Sequence, residues 1–258
     1  MAPVTFHVDA DTCVRCGLCI KDCLFKIIEM GEVPFIDQEN REKCIHCGHC
    51  QAICPTASIT LDGHDPHMLE AAEKPLAEAQ VRALIHGRRS VREYQREDVD
   101  DALLERIIRM CCWAPTGSNN RGVGYIVFNG RAKVEQLLQA TLEIMDRHGL
   151  YPAAAKLVAA GNDQVFRGAP CVLLTHAPAQ LLAGADCATA LAALELALPS
   201  FGLASCWAGI FTRVCDKGLP AGLSLPEGHR LYGGLMIGKP AVSYKRVPFR
   251  PEPSITWM

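Results

Sequence analysis

The pattern of apolar and polar positions divides the chain into two unlike parts. From residue 75 onward it follows the periods of ordinary secondary structure. Pro75 suits the first turn of a helix running to about His86, with Gly87 as its stop. Val99 and Leu103 form a hydrophobic staple around an Asp100 cap, and Leu103, Leu104, Ile107, Ile108 and Cys111 share one helical face that ends before Pro115. Tyr125 to Phe128 reads as a strand closed by the turn Asn129-Gly130. Ala132 to Met145 reads as an amphipathic helix with Val134, Leu137, Leu138, Leu142 and Met145 inward. Cys171 to Thr175 has the unbroken apolar character of a buried strand. Asp186 is placed to cap a helix in which Ala188, Leu191, Ala192, Leu194, Glu195 and Leu198 are mostly apolar all round, which predicts burial in the middle of the domain or at a subunit interface. Tyr232 to Gly238 is the last strand. The tail beyond Pro240, with Pro248, Pro251 and Pro253, reads as extended. Alternating strands and helices predict a layered α+β or α/β domain over residues 75–258.

Residues 1–65 carry a different pattern. Apolar pieces are short there, Ile27 to Met30 being answered 31 residues on by Ser58 to Leu61, and cysteine is the recurring residue. Cys13-Val-Arg-Cys16-Gly-Leu-Cys19-Ile-Lys-Asp-Cys23 and Cys44-Ile-His-Cys47-Gly-His-Cys50-Gln-Ala-Ile-Cys54 share the spacing C-x2-C-x2-C-x3-C, offset by 31 residues. Soft thiolates so gathered wrap a compact inorganic core and suit iron–sulfur clusters. Structural zinc sites instead separate two C-x-x-C pairs by a longer loop. Between Asp62 and Pro75 the run Asp-Gly-His-Asp-Pro-His breaks any period and marks a domain boundary.

Over about residues 4–62 these runs resemble a bacterial ferredoxin with two 4Fe-4S clusters. The resemblance implies crossed ligation, with Cys13, Cys16, Cys19 and Cys54 on one cubane and Cys44, Cys47, Cys50 and Cys23 on the other. The two short apolar pieces of the repeat are themselves expected to form the sheet flanking the clusters. The family's proline after the fourth cysteine stands as Pro55 and is replaced by Leu24 in the first run.

Composition adjusts this picture modestly. A 49% hydrophobic content over 258 residues is ample for a real core, and a formal charge of −2 carries no nucleic-acid signature. Residues 1–63 hold nine acidic and five basic side chains, net −4, so the remainder sums to +2. Fourteen cysteines point to a reducing compartment, and Met1-Ala-Pro-Val-Thr-Phe-His lacks the pattern of a secretory signal, so a cytoplasmic location is expected. Cys111, Cys112, Cys171, Cys187, Cys206 and Cys215 sit among apolar neighbours and are expected to be buried small hydrophobes. The least charged stretch, Leu196 to Thr212, is interrupted by Pro199, Gly202 and Gly209 and reads as core rather than as a membrane span.

Residues 82–96 hold five arginines against one acid. Arg88-Arg89-Ser90-Val91-Arg92, directly after a helix stop, suits a phosphate dianion held by guanidinium forks and a hydroxyl. Then follow Ala114-Pro115-Thr116-Gly117-Ser118-Asn119-Asn120, Gly202-Leu203-Ala204-Ser205-Cys206-Trp207-Ala208-Gly209, Leu225-Pro226-Glu227-Gly228-His229 and Gly234-Leu235-Met236-Ile237-Gly238-Lys239-Pro240. In this order and spacing they resemble the FMN-dependent nitroreductase family across about residues 79–258.

That resemblance implies an α+β fold with a central sheet flanked by helices and an intertwined homodimer holding FMN at the subunit interface. Carried over by residue, Arg88, Arg89, Ser90 and Arg92 correspond to the grip on the ribityl phosphate and flavin pyrimidine. Pro115, Thr116, Gly117, Ser118 and Asn119 correspond to the loop lying against the ring from the partner subunit. Trp207, Ala208 and Gly209 correspond to the segment facing flavin N5, and Arg246 and Arg250 to a late basic pair on the phosphate. No general acid stands out, and the sequence offers no dinucleotide-binding turn. Together the two resemblances imply an oxidoreductase in which a ferredoxin or flavodoxin donor feeds two 4Fe-4S clusters, these feed FMN, and a small organic acceptor is reduced. A non-catalytic electron-transfer or redox-sensing protein is the alternative.

Overall fold

A computed structural model describes residues 2–258; Met1, at the head of the stretch read above for a signal, lies outside the described residues. The chain folds as two units, one running through Pro75 and including Ser118–Asn120, the other comprising Leu76–Gly117 and Arg121–Met258.

In the first unit β1 (Phe6–Val8) pairs antiparallel with β4 (Ile59–Leu61), and β2 (Glu29–Met30) pairs with β3 (Pro34–Phe35). The two apolar pieces therefore lie in separate two-stranded sheets and not in one. Met30 meets Pro34 across the turn that begins at Gly31, and so short a loop closes at little entropic cost. The repeat is visible in the backbone. α1 (Leu18–Asp22) and α2 (His49–Ala52) each follow a left-handed glycine, Gly17 at φ 72° and Gly48 at φ 73°. Arg15 and His46 (φ 57° and 51°), then Lys26 and Ala57 (53° and 50°), hold the same conformation at equivalent positions. Left-handed backbone at non-glycine residues costs about 1–3 kcal/mol each, so it persists only where the surroundings impose it. Val4, Val8, Ile27, Ile28, Ile36, Ile59 and Leu61 form the apolar core, joined by Cys19, with Cys13, Cys23, Cys44, Cys50 and Cys54 packed against it.

The second unit is built on a four-stranded antiparallel sheet in the order β5 (Gly124–Asn129), β6 (Cys171–Pro178), β8 (His229–Gly238), β7 (Ala204–Trp207). Both faces are covered. Cys171 and Leu173 of β6 point into one core with α4 (Asp101–Cys111) and α7 (Ala183–Ala197), and Val172 and Leu174 point into the other with α5 (Arg131–Arg147) and α8 (Gly209–Cys215). A strand buried on both faces reads as a continuous apolar run, which is why β6 was legible.

Several expectations hold in detail. Asp100 caps α4 by accepting the Leu103 N–H at 2.7 Å, and Leu104, Ile107 and Cys111 are buried. Others need correction. α3 (Glu78–Gly87) begins after Pro75, because the Ala77 N–H donates to the Gln80 side chain and fixes the first turn there. Asp186 does not cap α7: the helix starts a turn earlier, where Ala183 is fully buried beside Ala177 and Cys187. Within one chain Ala188 and Ala192 of α7 are exposed, which sets aside burial in the middle of the domain and leaves the subunit-interface expectation. Cys112 is exposed as well, one residue off the apolar face of α4, and Cys215 is half-buried. α6 (Pro152–Ala159), with proline in its first turn, was not foreseen. No helix among the described residues is long and apolar enough to cross a membrane.

Candidate functional site

In the first unit Cys13, Cys16, Cys19 and Cys54 line one cavity, bringing the fourth cysteine of the second run to the first three of the first. Among the described residues no three His, Cys, Asp or Glu side chains gather tightly enough for a single ion. Pro34, Thr56 and Ile59 complete the lining of the same void. Burial pushes the Cys50 thiol up to about 12 and raises Cys19 and Cys44. Thiolates there need compensating positive charge, which an iron core supplies. Burial also acts to raise Cys54, but the Ser58 N–H at 3.3 Å and the Thr56 hydroxyl at 3.7 Å outweigh it and bring that thiol below its usual value. The Asn119 amide donates to the carbonyls of Ile45 (2.8 Å) and His46 (3.1 Å), the residues between Cys44 and Cys47.

In the second unit Arg88, Arg89 and Arg250 line one cavity of about 530 Å3, with Ile85 and His86 at its wall. Arg88 follows the last residue of α3, so its backbone leaves the helix and carries Arg89 past the helix end. A bridge between Ser90 and Ser205, with the Val91 N–H on the Ser205 carbonyl at 2.9 Å, then lays this segment along β7. Tyr94 fixes the turn by donating its hydroxyl to the Val91 carbonyl at 2.7 Å. The Arg89 Nε is buried without a partner, an orphaned donor beside the cavity and the kind of atom an anionic ligand satisfies. Arg92 is turned to the Ser90 carbonyl at 3.2 Å, and Arg246 does not line the cavity.

Trp207 ends β7, and its indole Nε1 donates to Glu195 Oε2 at 2.8 Å. The other oxygen of Glu195 faces Arg88 Nη1 at 3.3 Å. Ala208 is buried, its N–H on the Gly234 carbonyl at 2.9 Å, and Gly209 opens α8. Gly233 lies close by: a Cβ there would be 2.7 Å from Leu191 and 3.2 Å from Trp207 Cζ3. The loop Pro115 to Asn119 does not line the arginine cavity. Gly117 is held by its N–H on Asp186 Oδ1 at 2.9 Å, and the Thr116 hydroxyl accepts the Arg121 N–H at 3.0 Å. Sequence reasoning missed Glu195 and Asp186 as site residues. The available signal was two acids in an otherwise apolar helix, which natural proteins bury only when paired.

The nitroreductase family model matches residues 85–239. The chain belongs to the nitroreductase family. A 4Fe-4S dicluster domain model matches residues 6–59, ahead of the nitroreductase match. Among solved structures, a nitroreductase with bound FMN from Bacteroides fragilis is 25% identical with a TM-score of 0.57, covering 71% of this chain and 100% of that one. A nitroreductase with bound FMN from Desulfitobacterium hafniense, 22% identical with a TM-score of 0.59 over the same shares, has the same fold. The archaeal glutamate synthase (NADPH) of Archaeoglobus fulgidus is 32% identical over 54 residues, and that match spans 21% of this chain and 11% of that protein.

Proposed function

We propose that this nitroreductase-family protein is an iron–sulfur flavoprotein oxidoreductase that takes electrons from a one-electron donor, ferredoxin or flavodoxin, through two 4Fe-4S clusters to FMN, and reduces a small organic acceptor. That acceptor is a nitro compound, a quinone, an activated alkene or a halogenated compound. FMN, when bound, supplies the link between single-electron delivery and two-electron reduction. The observation that carries the reading is the orphaned Arg89 Nε beside a cavity shared with Arg88 and Arg250, in a chain that also carries two complete cysteine runs. Cys13, Cys16, Cys19 and Cys54 hold one cluster, and Cys44, Cys47, Cys50 and Cys23 the other. Arg89 and Arg250 hold the phosphate by charge-assisted hydrogen bonds, and Ser90 contributes a hydroxyl. Trp207, Ala208 and Gly209 lie beside the reacting edge of the ring. The exposed small residues Ala188 and Ala192 of α7 suit close packing against a second copy, in keeping with a homodimer.

Rapid mixing of anaerobic full-length protein with reduced ferredoxin tests the order of events. Cluster absorbance should bleach before or together with that of the flavin. A protein lacking residues 1–70 should keep FMN and remain reducible by dithionite but lose reduction by ferredoxin or flavodoxin. Equal rates of flavin reduction with and without the amino-terminal unit would end this reading.

A further inference from the structure

The two cysteine runs of the first unit share a backbone and differ in what stands just past the fourth cysteine. After Cys54 come Thr56 and Ser58; after Cys23, 31 residues earlier, Phe25 and Ile27 hold the same places. The turns themselves match. The Ala57 N–H donates to the Cys54 carbonyl at 3.3 Å and the Lys26 N–H to the Cys23 carbonyl at 3.2 Å, with Ala57 and Lys26 both left-handed. The side chains differ in kind. Ser58, only 3% exposed, donates its backbone N–H to the Cys54 sulfur at 3.3 Å, and the Thr56 hydroxyl lies 3.7 Å from that sulfur. Thr56 Oγ1 is 2.7 Å from Ser58 Oγ, which is 2.9 Å from Thr12 Oγ1, which is 2.9 Å from Asp9 Oδ2. Phe25 and Ile27 have no hydroxyl to offer Cys23, and Thr12 is answered by Lys43, whose ammonium bonds Asn40 at 2.6 Å. Among the ligands of the second run, Cys44 receives the His46 N–H at 3.4 Å, a backbone donor.

Three hydroxyl protons serve four contacts between Asp9 and Cys54, so one contact goes without. Both ends are anionic, a carboxylate at Asp9 and a thiolate at Cys54 once it holds iron, and hydrogen bonds to ions are about twice as strong as those between neutral groups. Thr12 therefore donates to Asp9 and Thr56 to Cys54, and the gap falls between hydroxyls. Ser58 donates across the shorter of its two contacts, to Thr56, which polarises the Thr56 O–H toward the sulfur. A donor aimed at a ligand sulfur favours the state with more negative charge there, which is the reduced one.

We propose that the Thr12, Ser58 and Thr56 hydroxyls raise the reduction potential of the cluster ligated by Cys13, Cys16, Cys19 and Cys54 above that of the cluster ligated by Cys23, Cys44, Cys47 and Cys50, so that the first electron to enter the unit settles on the former. The proposal rests on the cluster half of the reading above and adds an order between the two centres. Thr56 and Ser58 act through the Cys54 sulfur and are positioning residues.

The test is an anaerobic redox titration of the full-length holoprotein followed by electron paramagnetic resonance, with Cys13→Ala marking which signal belongs to the Cys54 cluster. Dithionite, itself oxidised to sulfite, supplies one electron to each cluster. In the wild type the Cys54 cluster should be reduced first. Thr56→Val removes the hydroxyl at nearly the same shape and should lower that cluster's reduction equilibrium about tenfold, ~59 mV for a one-electron couple, while the other cluster keeps its potential. Thr56→Ser, which returns a hydroxyl, should restore most of the loss. Phe25→Thr places a hydroxyl beside Cys23 at a position 48% exposed, and should raise the potential of the second cluster and narrow the gap. An unmoved potential in Thr56→Val at full iron content, or an equal shift of both clusters, overturns the proposal. If Thr56→Val loses iron, Phe25→Thr decides, and no rise at the second cluster is then fatal. Wild-type clusters reduced together, or in the opposite order, refute the proposal alone, whereas wild-type protein without any 4Fe-4S signal refutes the cluster reading and the proposal with it.

Discussion

The two units of this chain keep their shape by different means. The second has cores of sixteen and twelve buried residues on the two faces of one sheet, enough to account for a fold by apolar burial. The first has eight buried apolar residues, strands of two or three residues, and four non-glycine positions in left-handed backbone at matching points of its repeat. A unit of that size with so small a core needs staples, and with all fourteen cysteines unpaired the staples are not disulfides. Five of its cysteines pack against the apolar cluster, so the residues proposed as cluster ligands and the core are one body. The comparison teaches that in the first unit the inorganic centre is part of the fold, while in the second the ligand cavity is an addition to a fold already complete.

The sharpest way to break this contrast is to remove the iron. Anaerobic chelation should make the first unit protease-sensitive and leave the second resistant, an all-or-none difference visible on a gel. Protein as isolated should contain about eight iron and eight sulfide per chain, as two cubanes require. Cys54→Ala and Cys13→Ala should each lower this to about four and erase the same cluster signal in electron paramagnetic resonance. Zinc without acid-labile sulfide, or the loss of different clusters in the two variants, would refute the ligand assignment.

The complementary disturbance is in the arginine cavity. Arg89→Ala removes a donor whose buried Nε has no protein partner, so FMN affinity should fall about tenfold to a hundredfold, the equivalent of ~1.5–3 kcal/mol for a hydrogen bond to a charged group. Arg246→Ala should cost less, because Arg246 is exposed and outside the cavity. Iron content and the melting of the second unit should be unchanged in both. Flavin titration by fluorescence measures this, and equal affinity in Arg89→Ala and wild type would place the phosphate elsewhere.

What could be read from the sequence follows from how local each signal is. The cysteine spacing, the 31-residue repeat and the apolar run of β6 are stretches whose meaning is contained in themselves. The repeat reappears in the backbone, which is left-handed at both Arg15 and His46. Asp186 shows the opposite case: an acid near a helix start is read as a cap, yet its partner is the Gly117 N–H, 69 residues away. Glu195 and Arg88 are 107 residues apart, and no period connects them. The separate pairing of β2 and β4 was missed for the same reason, since pairing partners are chosen by the fold and a short apolar piece does not name its own.

A smaller effect tests whether the second unit's stability is local and additive. Asp100→Ala removes the cap on the Leu103 N–H and should cost about 1 kcal/mol, read as a lower melting temperature for that unit alone. Its iron content should not move. A matching loss in the first unit would mean that the two units unfold as one, and the contrast drawn above would fail.

The smallest expected effect concerns His176. It sits at the β-bulge of β6, 8% exposed, with its Nδ1 2.9 Å from the Nδ1 of His229, and Gly124 packs so closely that a Cβ there would lie 2.4 Å from the imidazole. Burial, and secondarily the neighbouring His229, hold its pKa below the usual 6.5. The folded unit therefore keeps His176 neutral over a range in which the unfolded chain already takes a proton. Where the unfolded state binds more protons, stability rises with pH, so the second unit should lose stability as pH falls below 6.5 toward the folded-state value and gain nothing further above it. His229→Gln removes the charge-repelling neighbour and should shrink this acid limb, leaving the part that burial causes. Urea melts of the second unit between about pH 5 and 7 measure the slope. A flat profile in the wild type, or the same slope in His229→Gln, would show that the pair does not couple to folding, and the second unit's stability would then rest on its apolar layers alone.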